Sequence, residues 1–185
     1  MILAVKKDDR IVVGINVISS LADMSERDLA LSENIPFWKV KGNKDCYVFA
    51  DTLSFAADLL RYNDYVFKDV SDGKSIVEKV VPKIKELLGR YSQIIKDKEM
   101  DTQILIVKGN KMFTIGRFFT VSEEDRFVGL KNNQYSIGAL EESSDMDLEQ
   151  SILFAARTVG RMRNIYNFPL LVFDNETKKR KVFYN

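Results

Sequence analysis

Histidine is missing from all 185 residues. Its absence removes the usual general base of serine and cysteine hydrolases and the commonest transition-metal ligand, so a conventional Ser-His-Asp enzyme is excluded. Cysteine occurs once, as Cys46, which rules out an intrachain disulfide and a cysteine-clustered zinc site. Its setting, Asp45-Cys-Tyr-Val-Phe-Ala50, reads as a strand in which the thiol is a buried small hydrophobe rather than a reactive group. An excess of either charge is also missing. Lys and Arg number 28 against 27 Asp and Glu, so neither a nucleic acid nor an anionic membrane is expected as a partner. The opening apolar run Met1-Ile-Leu-Ala-Val5 stops at Lys6-Lys7-Asp8-Asp9, too short for a signal peptide or a membrane span, and the cytoplasm is the expected compartment. No Gly-rich phosphate loop, dinucleotide fingerprint or heptad repeat occurs, and no cofactor is expected. Asp23, Glu26 and Asp28 lack the spacing of a calcium motif, so no metal site is expected and they read as a solvated acidic turn.

What is present is enough apolar material, 45% of residues, to fill the core of one domain spanning 1–185. The first arm Ile2 to Lys6 and the second arm Arg10 to Ile18 are rich in β-branched residues and flank the charged turn Lys7-Asp8-Asp9, which predicts a hairpin at the very start. Residues Ser19 to Asn34 are polar without a sustained period and read as a long excursion. Pro36 opens a second strand pair, Phe37 to Lys41 and Asp45 to Ala50, around Gly42-Asn43-Lys44, whose Gly and Asn suit positive φ.

Thr52 is a candidate N-cap for a helix burying Leu53, Ala56, Ala57 and Leu60. A longer helix follows on the stripe Val77, Val80, Val81, Ile84, Leu87, Leu88, Tyr91, Ile94 and Ile95, with Pro82 either near its start or at a kink. Next come strands over Gln103 to Lys108, Met112 to Ile115, Phe118 to Val121 and Arg126 to Leu130, with Glu123-Glu124-Asp125 as an exposed turn. Phe118, Phe119 and Trp38 suit either core or interface. A short helix over Tyr135 to Glu142 precedes one capped by Asp147 with Gln150 three residues on, burying Leu148, Ile152, Ala155, Ala156, Val159 and Met162. Strands Leu170 to Asp174 and Lys181 to Tyr184 close the chain. Blocks of strands alternating with helix pairs, without strict βα alternation, predict an α+β protein of antiparallel sheets layered with helices.

Three segments, Ala4-Val-Lys-Lys-Asp-Asp-Arg-Ile-Val-Val-Gly14, Gln103-Ile-Leu-Ile-Val107 through Thr114-Ile-Gly116, and Tyr135-Ser-Ile-Gly-Ala-Leu140 with the helix capped by Asp147, occur in the order found in proteasome β subunits. The chain resembles these N-terminal nucleophile (Ntn) hydrolases and the related bacterial two-component protease. The resemblance implies a four-layer α-β-β-α sandwich of two antiparallel sheets. It also implies a chemistry in which a Thr, Ser or Cys at the mature N-terminus attacks a carbonyl while its own α-amine, with a pKa near neutrality, serves as base.

This sequence departs from the pattern at each matching position. The nucleophile's place falls on Met1 or Ile2, with Met1 expected to be retained ahead of so bulky a second residue. The family's aspartate falls on Asn16, its lysine on Pro36, and its Ser-Gly-Ser on Lys131-Asn132-Asn133. The resemblance thus places a cleft among Met1, Ile2, Asn16, Ser19, Ser20 and Lys39. It predicts a non-catalytic structural, assembly or binding component that self-associates, with a protein or peptide as a further partner. Two alternatives are a peptidase or amidohydrolase pairing Cys46 or one of Ser19 and Ser20 with Lys39, and a binding module for a small ligand in the vacated cleft.

Overall fold

The computed structural model describes residues 1–16, 36–51, 54–91, 99–131, 133–164 and 168–184. In chain order the strands are β1 Ile2–Lys7, β2 Arg10–Asn16, β3 Phe37–Lys39, β4 Cys46–Ala50, β5 Ile104–Lys108, β6 Lys111–Ile115, β7 Val121–Glu124, β8 Phe127–Leu130, β9 Leu170–Asp174 and β10 Arg180–Phe183. The helices are α1 Phe55–Tyr62, α2 Val81–Gly89, α3 Asn133–Glu142 and α4 Leu148–Arg163. They fall into two compact units, one drawn from Met1–Ile35 and Asp125–Asn185, the other from Pro36–Glu124.

The first unit is an antiparallel sheet in the order β10-β9-β2-β1-β8. The initial strand is therefore an interior one, with Ile2 opposite Ile15 on one side and Leu130 on the other. Leu3, Val5, Val12, Leu170 and Val172 face α3 and α4, where they pack with Leu140, Leu148, Ile152, Ala155 and Val159. Ile2, Ala4, Ile11, Val13 and Ile15 point to the other face and are equally buried, which is why the hairpin reads as a continuous apolar run rather than an alternating one. Each aliphatic side chain so buried contributes about 1.5–3 kcal/mol relative to exposure. Helix α4 starts where the sequence predicts, with Asp147 Oδ1 accepting from Glu149 N at 2.9 Å. It ends at Asn164 in a left-handed conformation, φ 49°, which few residues other than Gly and Asn adopt readily. Met162, predicted to be buried, is instead exposed near that end.

The second unit is an antiparallel sheet in the order β3-β4-β5-β6-β7. One face packs Val48, Ile104, Ile106, Phe113 and Ile115 against Ala57 and Leu60 of α1, Ile84, Leu87 and Leu88 of α2, and the residues between those helices. Trp38 lies in this core, its ring 6.1 Å from that of Phe67.

Four sequence expectations are corrected here by local chemistry. The N-cap of α1 is Ser54, whose Oγ accepts from Ala57 N at 3.2 Å; Thr52 and Leu53 lie outside the described residues. The long helix starts at a capping box of Asp72 and Ser75 and passes through a π-helical turn, Ile76–Val80, in which Val81 N–H bonds to Ile76 C=O. Pro82, which has no N–H to donate, follows this widened turn directly. The extra residue turns Val77 outward and places Ile76 in the core. Helix α2 ends at Gly89, and Ile94 and Ile95 lie outside the described residues.

The third correction concerns residues Phe118 to Val121. The tight turn there belongs to Gly116 through Thr120, and the strand is Val121–Glu124. Glu123 and Glu124 are thus ladder residues on an edge strand, with Lys111 Nζ 3.0 Å from Glu123 and Thr114 Oγ1 donating to Glu124 at 2.9 Å. Charges on an edge discourage further strand addition. The fourth is the β3–β4 turn, where positive φ falls on Gly42 and Asp45. Asn43 is buried and donates its Nδ2 to the carbonyls of Phe67, Lys68 and Val70 at 3.2, 3.1 and 2.9 Å.

Candidate functional site

Of the cleft residues expected from sequence, Met1, Ile2 and Asn16 belong to the first unit and come together at one end of β1 and β2. Asn16 N donates to Met1 O at 3.1 Å, and Asn16 also pairs with Leu170 of β9. Met1, Ile2 and Leu3 are buried apolar side chains. Their ladder neighbours, Ile15 and Leu130 beside Ile2 and Gly14 and Gly129 beside Leu3, offer no group that accepts or releases a proton. Pro36 and Lys39 belong to the second unit. Pro36 is buried and its carbonyl accepts from Ala50 N at 2.8 Å, whereas Lys39, opposite Tyr47 at the end of β3, is exposed. Ser19, Ser20 and Asn132 lie outside the described residues, as do Asp23, Glu26 and Asp28.

Cys46 is fully buried on β4 within the second unit's core, and desolvation there pushes its thiol pKa up to about 12 despite the nearby Lys108. At neutral pH it is a protonated hydrophobe, in line with its sequence setting. Among the described residues no group of three or more His, Cys, Asp or Glu is placed to hold a metal. None of their helices is long and apolar enough to cross a membrane.

A polar cluster that the sequence gives no hint of lies in the first unit, at the opposite end of the β1–β2 hairpin from Met1. Arg10 donates from Nε and Nη2 to Asp174 Oδ2 at 3.2 and 3.0 Å and from Nη1 to Asp147 Oδ2 at 3.3 Å. Beside it Asn175 Oδ1 accepts from Ile11 N at 2.6 Å, and Asn175 N donates to Ile11 O at 2.9 Å. These partners are 137 and 164 residues apart in sequence, so no local pattern announces them. The cluster clasps the hairpin to the β9–β10 turn and the start of α4, and borders a cleft of about 530 Å³ between Lys7–Arg10, Met146–Leu148 and Glu176.

Burial by itself would raise the Asp174 pKa. The amides of Glu176 and Thr177 and the Arg10 guanidinium outweigh that effect and hold the carboxyl below its ordinary value. A carboxyl lowered by folding stabilises the native state above its unfolded pKa of about 3.9, and that contribution is lost as pH falls through the lower folded value. Acid titration of unfolding free energy is accordingly expected to decline below about pH 4. It should decline less steeply in Asp174→Asn, and an unchanged slope in that variant would contradict the clasp.

Two antiparallel sheets with helices on one face of each, entered by a hairpin whose first strand is interior, define the proteasome-like Ntn-hydrolase fold. The solved structures with this fold bear that out. The chain is similar to BPH of Thiobacillus denitrificans (TM-score 0.66, 18% identity, 94% of this chain and 96% of that one). It is similar also to eukaryotic HslV from Trypanosoma brucei (0.60, 14%, 94% and 97%) and to Anbu, the ancestral beta-subunit, from Yersinia bercovieri (0.63, 11%, 100% and 87%). No protein-family model matches the chain, and no curated protein matches it in sequence. Likeness at this level of identity carries the fold and not the activity.

Proposed function

We propose that this chain is one proteasome-like domain that keeps the Ntn scaffold without its N-terminal chemistry. In this reading it is a self-associating, cytoplasmic structural, assembly or binding component whose further partner is a protein or peptide. One observation carries the reading: Ile2, Asn16 and Pro36 stand where the resemblance asks for a hydroxyl or thiol, a carboxylate and an ammonium. Replacing all three removes the nucleophile, the lysine that lowers its pKa and the group that supports them. Burial of Cys46 weighs against the thiol version of the peptidase alternative. Self-association is carried over from the resemblance.

Incubation with epoxomicin tests the catalytic half of the reading, since one solved structure of the T. denitrificans protein is a complex with that compound. The intact mass of this protein, purified from its natural source, is expected to be unchanged after incubation. A stoichiometric mass increase mapped to the first residue would reverse the assignment.

A further inference from the structure

Helix α3 buries one face and leaves the other bare. Ser136, Ala139 and Leu140 are buried, whereas Gln134, Tyr135, Gly138, Glu141 and Glu142 are exposed. The exposed five stand at i−4, i−3, i, i+3 and i+4 about Gly138, which is the spacing of one helix stripe. A glycine in mid-helix costs roughly 0.5–1 kcal/mol relative to alanine. Nothing in the fold asks for one at this place: a β-carbon there would have no atom within 4 Å among the described residues, and the backbone is not left-handed. What the glycine does provide is a low point at the centre of an exposed stripe, where a second backbone can come close.

The two ends of the stripe carry opposite charge. Toward the C-terminus of α3 lie Glu141 and Glu142, neither of which forms an ion pair among the described residues. Toward its N-terminus the ring of Tyr135 carries Arg163 of α4, with the guanidinium carbon 5.8 Å from the ring centroid. Arg163 likewise has no carboxylate partner among the described residues. Stacking holds a guanidinium in place while leaving its N–H groups free to grip a carboxylate. Tyr135 and Met162, which precedes Arg163, are 41% and 60% exposed, and arginine, methionine and aromatic residues are the types enriched where proteins meet.

Tyr135 lies three residues before Gly138 and Glu141 three residues after it, each about 4.5 Å away along the helix axis. A second α3 laid antiparallel across Gly138 therefore brings Glu141 of each copy to the Tyr135–Arg163 pair of the other. We infer that two copies of this chain associate through α3 about a two-fold axis at Gly138, the Arg163 guanidinium of each binding the Glu141 carboxylate of the other. The inference rests on the self-association proposed above and names a surface that carries it. A different protein would have to present cation and carboxylate in the reverse order at the same separation, whereas a second copy does so by symmetry, which makes the contact isologous.

Sedimentation over a concentration series of the full chain tests the contact with Glu141→Arg, Arg163→Glu and an equimolar mixture of the two variants. The wild type is expected to exceed its 21.3 kDa chain mass. Each variant alone sets like charges against each other twice and should associate about tenfold or more weakly. In the mixture both pairs are complementary again, so association should return to near the wild-type level, an outcome that misfolded variants could not give. Gly138→Gln should keep the wild-type circular dichroism spectrum, because its side chain enters open space and glutamine is the better helix former, yet weaken association by blocking the close approach. Variants that associate as the wild type does, or a mixture as weak as its components, overturn the two-fold contact and leave the assembly reading standing. A wild type that remains a 21.3 kDa monomer at every concentration overturns both.

Discussion

Replacing Asn43 with leucine is expected to lower the unfolding free energy by about 2–4 kcal/mol, among the largest losses available to a single side chain in this protein. The carboxamide Nδ2 supplies the carbonyls of Phe67, Lys68 and Val70, and its Oδ1 accepts from Lys108 Nζ at 2.6 Å. Leucine fills a similar volume but leaves those groups without a partner in a place where water cannot freely substitute, and an unmet buried acceptor costs more than a made hydrogen bond contributes. Asn43→Asp separates the two halves of the role. It keeps the acceptor for Lys108 and loses the donor to the three carbonyls, so it should fall at least as far as the leucine variant. Chemical denaturation checks this directly, and a melting temperature lowered by roughly 5–15 °C is the thermal counterpart for a chain of this size. A loss within about 0.5 kcal/mol, ordinary for a surface substitution, would mean that the turn does not depend on this amide.

The second large effect is expected at Gly14. A β-carbon built there would lie 2.5 Å from Ile152 Cγ2 and 3.4 Å from Leu170 Cδ2, so the glycine is what lets α4 press directly onto β2. Gly14→Ala forces the helix and strand apart, and overpacking of this kind costs about 1–3 kcal/mol. The variant also acts on the chain's beginning, because Gly14 pairs with Leu3 across the hairpin. A double-mutant cycle with Ile152→Ala identifies the cause. The isoleucine change alone opens a cavity and destabilises, but together the two should cost less than their sum by about 1 kcal/mol or more. Strict additivity would assign the Gly14 effect to something other than this contact.

How far the sequence could be read depended on the range of the interactions involved. The hairpin, the α+β class and the capped start of α4 follow from β-branched runs around a charged turn, apolar spacing and a single Asp, all encoded within a few residues. Errors occurred where a neighbour distant in sequence decides the outcome. Asn43 looked like a turn residue because its three acceptors lie more than twenty positions away. Val77 sat on the right stripe for an unbroken helix, and only the π-helical turn ahead of Pro82 moved it off. The strand proposed from Phe118 was shifted by a left-handed Phe119, a conformation no propensity assigns to phenylalanine. At the candidate site the burial of Cys46 is legible in its apolar strand setting. The Arg10 clasp was not legible, since its three carboxyl and amide partners are gathered only by the finished sheet.

The place of β1 inside its sheet sets a timetable for the ribosome. Ile2 has Leu130 as a ladder partner, and β2 beside it is flanked by Leu170–Asp174, while the whole stretch Pro36–Glu124 forms a unit of its own. At a translation speed of about 5–20 residues per second, the nascent hairpin therefore waits on the order of ten seconds with two sides unclaimed. The later-encoded unit emerges complete in the meantime. β1 and β2 leave the ribosome well before the strands that flank them, and in that interval their unpaired edges are open to non-native strand pairing.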